Sequence, residues 1–156
     1  MTIPSVENNF LADYVALLIT SYKYWTGLEL VETSDNPVKD AEQIFNAPFA
    51  VMSHDTSDDP VFNYANQTTL NLFEMDWEGF INTPSRRSAE PDKQQDRIII
   101  LNKVTTQGYI DNYSGIRISA SGKRFRIKNA VIWNVLDDSG QLNSQAATFS
   151  EWEFLS

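Results

Sequence analysis

The chain has 156 residues, a formal net charge of −9 and no cysteine. Its length fits a single domain, and a hydrophobic fraction of 42% with four Trp, six Tyr and nine Phe is sufficient for a packed core. The absence of cysteine excludes disulfides, cysteine-ligated metal centres and thiol nucleophiles within this chain. The negative charge would repel phosphate backbones, so we expect no nucleic-acid partner.

The N-terminal part of the sequence shows no membrane or export signal. Its longest apolar run, Tyr14 to Ile19, is too short to cross a bilayer, and no basic segment of a signal peptide precedes it. We therefore expect a soluble, cytoplasmic protein without membrane contact.

The first predicted element is a helix over residues 5–26, with Ser5 as its N-cap and Gly27 as its end. One side of this helix carries an apolar stripe that is wide for a helix lying on a single sheet. The stripe either packs on the rest of the chain or contacts a second copy. Its members, which we take as candidate interface residues, are Tyr14, Leu18, Tyr22 and Trp25.

A β-hairpin follows the first helix after a short connection. Residues 33–40 are predicted to form a polar loop around Pro37, and a short helix follows at 41–47. Two strand-like runs at 49–53 and 61–64 bracket a polar turn, which predicts the hairpin.

The middle of the chain is predicted to be helical. Asn66 can cap a short helix, and a further helical turn follows at 77–80. Residues 91–108 form a longer helix, with Arg97 and Leu101 on one of its faces.

Three strands are predicted for the last third, at 109–120, 122–135 and 141–155, separated by strong turn signals. In the middle strand, regular alternation predicts one buried and one mainly charged face. The buried face would carry Phe125, Ile127, Val131 and Trp133, and the other Arg124, Arg126, Lys128 and Ile132. The element order indicates an α+β fold with helices gathered on one face of an antiparallel sheet.

Several stretches resemble the MEKHLA domain family, which is related to PAS domains. They are SHDTSDDPVFNYAN (53–66), LFEMDWEGF (72–80), PSRRSAEP (84–91), GYIDNYSGIRISASGKRFRIKNAVIWN (108–134) and QAATF (145–149). The resemblance implies a PAS-like five-stranded antiparallel sheet with helices on one face and an N-terminal cap helix. Residues 1–46 would be the helical cap and linker, and residues 47–156 the PAS-like domain, in one folded unit.

The resemblance also implies a sensory or regulatory module rather than an enzyme. The family occurs alone in bacteria and algae and at the C-terminus of plant homeodomain–leucine zipper transcription factors. Sensing of light, oxygen or redox state is proposed for it by analogy, and control of dimerisation is associated with the plant proteins. We therefore expect binding of a small apolar or flat ligand, a homodimer or protein partner, or both.

Two other functions are compatible with the sequence. One is a structural interaction adaptor with a solid core. The other, a small α+β isomerase or hydrolase, would need an acid–base pair inside an apolar pocket. Nearly all acidic residues fall in turns or on helix surfaces, so we assign no catalytic residue and expect no enzyme.

The candidate ligand pocket is assigned from segments that would surround a PAS cavity. Aromatic side chains there either fill the core or line an apolar pocket. Arg86 and Arg87 could together bind a carboxylate or phosphate, or one of them could form an ion pair with Glu90 or Asp92. The candidate pocket residues are Phe49, Tyr64, Phe73, Trp77, Arg86, Tyr113, Phe125 and Trp133.

The sequence leaves the cofactor open. His54, the single histidine, lies beside the predicted hairpin turn, where a structural role is favoured over haem ligation. Photochemistry through a cysteine–flavin adduct is excluded, whereas reversible flavin binding is not. The acidic residues of the turn lack the spacing and glycine of an EF-hand, so we expect no metal site there. These residues are Asp55, Asp58 and Asp59.

A cluster of cations lies on two of the C-terminal strands. It is either a solvated outer face or a docking patch for an acidic partner or a second copy. Its members are Arg117, Lys123, Arg124, Arg126 and Lys128.

Overall fold

The computed structural model describes residues 2–156 and contains one antiparallel sheet with helices on both of its faces. The helices are α1 (Ala12–Thr26), α2 (Pro37–Phe45), α3 (Gln67–Phe73), α4 (Trp77–Phe80) and α5 (Gln94–Gln107). The strands are β1 (Ala50–His54), β2 (Phe62–Ala65), β3 (Tyr109–Ile118), β4 (Arg124–Leu136), β5 (Leu142–Phe149) and β6 (Glu151–Phe154). Short 3-10 turns occupy Val6–Leu11, Ser85–Ser88 and Pro91–Lys93.

The strand order is β2-β1-β5-β4-β3, so the N-terminal hairpin pairs with a C-terminal strand. Strand β6 also pairs with β4. The pairing of Val131 with Thr148 and of Lys128 with Glu151 keeps the same register, so β6 continues β5 after an interruption at Ser150. The predicted five-stranded antiparallel sheet is therefore confirmed.

The two faces of the sheet are covered by different helices. On the inner face, α5 places Arg97 and Leu101 opposite Met52 of β1. On the outer face, the Tyr22 ring of α1 lies 5.0 Å from the ring of Trp133. Helix α1 is thus a cap on the opposite side of the sheet from α5.

Two predicted N-terminal boundaries are wrong. Residues 33–40 are not entirely loop, because Pro37 is the first residue of α2, where its fixed φ is favourable. The Asn36 side chain caps this helix by accepting hydrogen bonds from two backbone N–H groups. The helix predicted from residue 5 is interrupted at Asn9–Leu11, where three consecutive φ angles are positive, and α1 begins only at Ala12.

The predicted facing of β4 is correct only in its first half. Ile127 and Ile132 both line the inner face although they are five positions apart, which regular alternation forbids. Asn129, with φ 53°, is an extra residue relative to β3 and forms a bulge there. Ile132 therefore points inward, and Val131 and Trp133 lie on the outer side.

Asn66 fixes the junction of three elements. Its side chain is fully buried, and its amide nitrogen donates to the carbonyls of Ile44 at 3.0 Å and Phe49 at 2.8 Å. Its amide oxygen accepts from the backbone N–H of Val51 and Thr69. The predicted N-cap of α3 thus also binds α2 to the start of β1.

Replacement of Asn66 by alanine is expected to lower the free energy of unfolding by about 2–4 kcal/mol, because it leaves several buried backbone groups without partners. Asn71→Ala, an exposed site on the same helix, is the matched control and is expected to change stability by less than about 0.5 kcal/mol. Urea unfolding measures both. Equal effects of the two variants would contradict this role for Asn66.

Candidate ligand pocket and its helical cap

A small cavity lies between α5 and the inner face of the sheet, with a volume of about 50 Å³. Its apolar wall includes Met52, Phe73 and Ile132, and its polar groups come from several different elements. Its polar side chains include His54 of β1, Arg97 of α5, Arg117 of β3 and Gln145 of β5.

Arg97 is an arginine on the buried side of α5. Its side chain is 7% exposed, because the helix turns position 97 to the same side as Leu101. Its Nη2 donates a hydrogen bond of 2.8 Å to the Ser85 hydroxyl. Among residues 2–156, no carboxylate lies within ion-pair distance of it. Burial and the nearby positive charge of Arg117 lower the pKa of Arg97 to about 10, and Tyr113 opposes this shift.

Arg117 brings a second positive charge to the cavity from β3. Its guanidinium carbon lies 5.6 Å from the ring centroid of Tyr113, and Nη2 donates to the Tyr113 hydroxyl at 3.3 Å. Nη1 donates to the backbone carbonyl of Ile116 at 2.9 Å. Within the described part of the chain, its partners are neutral, so the two arginines face one cavity without a counter-charge.

His54 ends β1 and points into the same cavity. Its Nδ1 donates to the backbone carbonyl of Asp55 at 2.8 Å, so in the neutral ring Nε2 carries a lone pair. That Nε2 is buried and has no hydrogen-bond partner among residues 2–156. Burial, opposed by the bond to Asp55 and aided by the charge of Arg97, lowers the pKa of His54 to about 4. The bond to Asp55 ties His54 to the hairpin turn, in agreement with the structural role expected from the sequence.

Tyr14 of the cap connects α1 to the other side of the same strands. Its hydroxyl is hydrogen-bonded at 2.7 Å to Ser53 of β1 and at 2.7 Å to Ser144 of β5. Both serines are buried. Their sequence neighbours His54 and Gln145 point the opposite way, into the cavity. Ser53, His54 and Asp55 do not form a triad, because the Ser53 hydroxyl is hydrogen-bonded to Tyr14 and Asn63, and His54 donates to the backbone carbonyl of Asp55.

The other predicted interface residues also face the chain's own sheet. Leu18 is fully buried and Tyr22 is 8% exposed. The Trp25 indole N–H donates to the Asn134 carbonyl at 2.9 Å. In this structure the stripe packs on the chain's own sheet, with Tyr14 and Trp25 only half-buried, and its contact with a second copy stays a prediction.

Of the eight predicted pocket residues, only Phe73 is among the side chains that line the cavity. Tyr64, Trp77 and Phe125 are buried in the surrounding core, and Trp133 packs on the outer face against Tyr22.

The other three predicted pocket residues lie around the cavity. Phe49 is half-buried beside the core, and Tyr113 supports Arg117. Arg86 is exposed and pairs with Asp59 at 3.1 Å rather than with Glu90 or Asp92.

Sequence reasoning missed the cations of the cavity, although one signal was present. Arg97 occupies a position on the same helical face as Leu101 and Val104, and a cation in an apolar stripe is a candidate buried charge. Arg117 gave no such signal, because it was grouped with the neighbouring surface cations.

The predicted basic face is largely neutralised. Arg124 pairs with Glu90 at 2.7 Å and Lys128 with Glu153 at 2.7 Å. Lys123 lies 3.8 Å from Glu74. Three of the five cations therefore interact with acidic side chains of the same chain, whereas Arg117 and Arg126 form no ion pair among residues 2–156.

A flavin, the cofactor suggested by light-sensing PAS domains, does not fit this cavity. Ligand pockets of drug-sized molecules are about 300–1,000 Å³, whereas this cavity has about 50 Å³. Its volume admits only a few water-sized groups.

In the part of the chain that the structure describes, no three acidic or histidine side chains are grouped as metal ligands, and no helix is long and apolar enough to span a bilayer.

The low pKa of His54 predicts a specific pH dependence of stability. The unfolded chain takes up a proton near the ordinary pKa of 6.5 and the folded chain only near 4, so this stabilisation is present above pH 6.5 and is lost as the pH falls toward 4. From pH 7 to pH 5 the contribution of His54 to the free energy of unfolding falls by about 2 kcal/mol. Urea unfolding at pH 7 and pH 5 measures this fall in the free energy of unfolding. The fall should be smaller by this amount in His54→Leu than in the unmodified chain. An equal fall in the two proteins would contradict burial of a neutral His54.

Comparison with known proteins places the chain in a family. Residues 12–154 match the MEKHLA domain. The chain is 29% identical over 140 residues to homeobox-leucine zipper protein HOX10 of Oryza sativa subsp. indica, covering 86% of this chain and 16% of that protein. It is 26% identical over 139 residues to homeobox-leucine zipper protein ATHB-14 of Arabidopsis thaliana, with the same coverage. The chain thus spans about one sixth of the length of these relatives.

Solved structures with the same fold are PAS and light-oxygen-voltage domains. A PAS domain from Colwellia psychrerythraea superposes with a TM-score of 0.62 at 13% identity, over 75% of this chain and 94% of that one. The light-state dimer of the fungal blue-light photoreceptor Vivid gives 0.58 at 14% identity, over 88% and 91%. With its matched sequence and its PAS-like sheet, this chain belongs to the MEKHLA domain family.

Proposed function

We propose that this chain is a sensory module that binds a small ligand in the inner cavity and transmits the bound state through the sheet to α1. The observation that carries this proposal is that β1 and β5 each connect the cavity to the Tyr14 hydroxyl of α1. His54 and Gln145 face the cavity, while their neighbours Ser53 and Ser144 bind the Tyr14 hydroxyl.

Adjacent residues on a strand share a rigid peptide plane, and they point to opposite faces. A ligand that moves His54 or Gln145 on the inner face therefore moves Ser53 or Ser144 on the outer face. Tyr14 needs both serines at hydrogen-bond distance at once. This contact is thus sensitive to small relative movements of β1 and β5.

Release of α1 would supply an output surface. Trp133 and Val135 lie under α1 and are fully buried, so its displacement would expose an apolar strip of β4. A second copy of the chain could cover that strip. The fold of the Vivid dimer supports this route by analogy, because that domain forms a dimer in its light state.

We propose that the module acts by binding and not by catalysis. A general base is most effective when its pKa lies near the working pH. The pKa of His54 is about 4, mainly because of burial, and its Nδ1 proton is held by the Asp55 carbonyl. These properties suit a fixed hydrogen-bond acceptor better than a proton shuttle.

A structural adaptor with a filled core is the second candidate. It is favoured by the small cavity volume of about 50 Å³. In an adaptor, α1 would be a permanent part of the fold, and its stability would not depend on the occupancy of the cavity.

The Tyr14→Phe variant tests the role of the cap. It removes the hydroxyl that contacts both serines and keeps the ring, so it should cost about 1–3 kcal/mol of local stability. We expect hydrogen exchange of the α1 amides to accelerate by about ten-fold or more, with a larger dimer fraction in sedimentation velocity. Tyr24→Phe, on an α1 side chain that is 70% exposed, is the matched control. Unchanged exchange in Tyr14→Phe would overturn the proposed release of α1.

A further inference from the structure

We infer that the cavity between α5 and β3 binds a small carboxylate that carries a neighbouring hydroxyl group, held by Arg97 and Arg117 with His54 accepting from the hydroxyl. This assignment rests on the proposed sensory function and names the class of its ligand. It differs from the apolar or flat ligand that the sequence suggested.

The charge of the cavity favours an anion. Arg97 is 7% exposed and Arg117 is half-buried, and neither has a carboxylate partner among the described residues. Buried cations are normally paired, since burial of an unpaired charge is unfavourable. The lowered pKa of Arg97, caused by burial and by Arg117, is consistent with two uncompensated charges. An anion bound between the two guanidinium groups would compensate for the unfavourable burial of each charge.

The chemistry of the donors favours a carboxylate. Guanidinium groups present parallel N–H donors that match the two oxygens of a planar carboxylate. Arg97 donates one hydrogen bond among residues 2–156, to the Ser85 hydroxyl, and Arg117 is held from behind by Tyr113 and the Ile116 carbonyl. Both side chains are therefore positioned by the protein before any ligand arrives.

His54 adds a requirement for a hydrogen-bond donor. Its Nε2 lone pair is buried without a partner in residues 2–156, and a carboxylate oxygen cannot donate to it. A hydroxyl group on the ligand can donate to this nitrogen. The requirement separates a hydroxycarboxylate from a simple carboxylate such as acetate.

The size of the cavity limits the ligand. About 50 Å³ corresponds to roughly three to four water-sized groups. A two- or three-carbon acid is of this order, whereas an aromatic cofactor is not.

A route into the cavity exists beside the hairpin turn. His54 and Arg97 also line a surface cleft at this turn. The acidic groups at its mouth are partly engaged, because Asp59 pairs with Arg86, and Asp55 accepts from the Ser57 hydroxyl at 2.7 Å.

Isothermal titration calorimetry with glycolate tests the assignment. We expect saturable binding with a Kd below about 1 mM, weaker binding of acetate, and none of the neutral analogue glycolamide. Arg97→Gln and Arg117→Gln should each weaken glycolate binding by about ten-fold or more. Arg87→Gln, on an exposed arginine outside the cavity, is the matched control and should stay within about two-fold of the unmodified chain.

Two further variants keep the test decisive. Arg117 is only half-buried, so Arg117→Gln carries the test if Arg97→Gln does not fold. His54→Leu should bind glycolate and acetate equally, because it lacks the acceptor for the hydroxyl. An unchanged preference for glycolate in His54→Leu would overturn the role of His54.

Absence of saturable glycolate binding, equal binding of glycolamide, or unchanged affinity in both arginine variants would overturn the carboxylate assignment. These results are distinguishable from failure of the sensory proposal. If glycolate does not bind but Tyr14→Phe still loosens α1, the cap mechanism stands and the ligand class is wrong. If glycolate binds but α1 is insensitive to Tyr14→Phe, the site stands and the transmission is wrong.

Discussion

Strand β1 is buried along its whole length because helices cover both faces of the sheet. In such a strand every side chain is packed against other residues, and successive side chains belong to opposite layers of the protein. Ser53 and His54 are therefore neighbours in sequence but serve two separate sites. The connection between cavity and cap follows from this alternation, and so does the low exposure of the polar groups involved.

The inner layer combines an apolar wall with positive charge. A PAS fold with a large cavity can accommodate an aromatic cofactor, but here Phe73 and Ile132 close the cavity to about 50 Å³. Arg97 and Arg117 then face a space in which water screens their charges poorly. The cavity is better suited to a compact anion than to a flat apolar molecule.

The outer layer is held by a few directional contacts as well as by packing. Tyr14 bonds two strands, Ser21 accepts from the backbone N–H of Leu136 at 2.8 Å, and Trp25 donates to the Asn134 carbonyl. These bonds all end on residues of the central strands. A cap held in this way can respond to changes of strand position that would leave a purely apolar contact intact.

The sequence predicted the fold better than the site. Element boundaries could be predicted from local signals, namely the turn residues, Asn66 and Gly108. The alternating pattern predicted that the C-terminal strands lie in one sheet. The facing of Trp133 could not be predicted, because the bulge at Asn129 shifts the alternation by one residue. Arg117 was likewise assigned to the surface, since nothing local distinguishes it from exposed cations nearby.

The most direct test of the account is whether filling the cavity changes α1 on the opposite face. Ala147→Leu adds three carbons to a side chain that lines the cavity and does not contact the cap through the Tyr14 hydroxyl. We predict that α1 amides then exchange at least about five-fold faster relative to β3 amides, whereas Ala120→Leu at an exposed turn leaves the ratio unchanged. An unchanged ratio in folded Ala147→Leu would contradict coupling across the sheet and favour the adaptor.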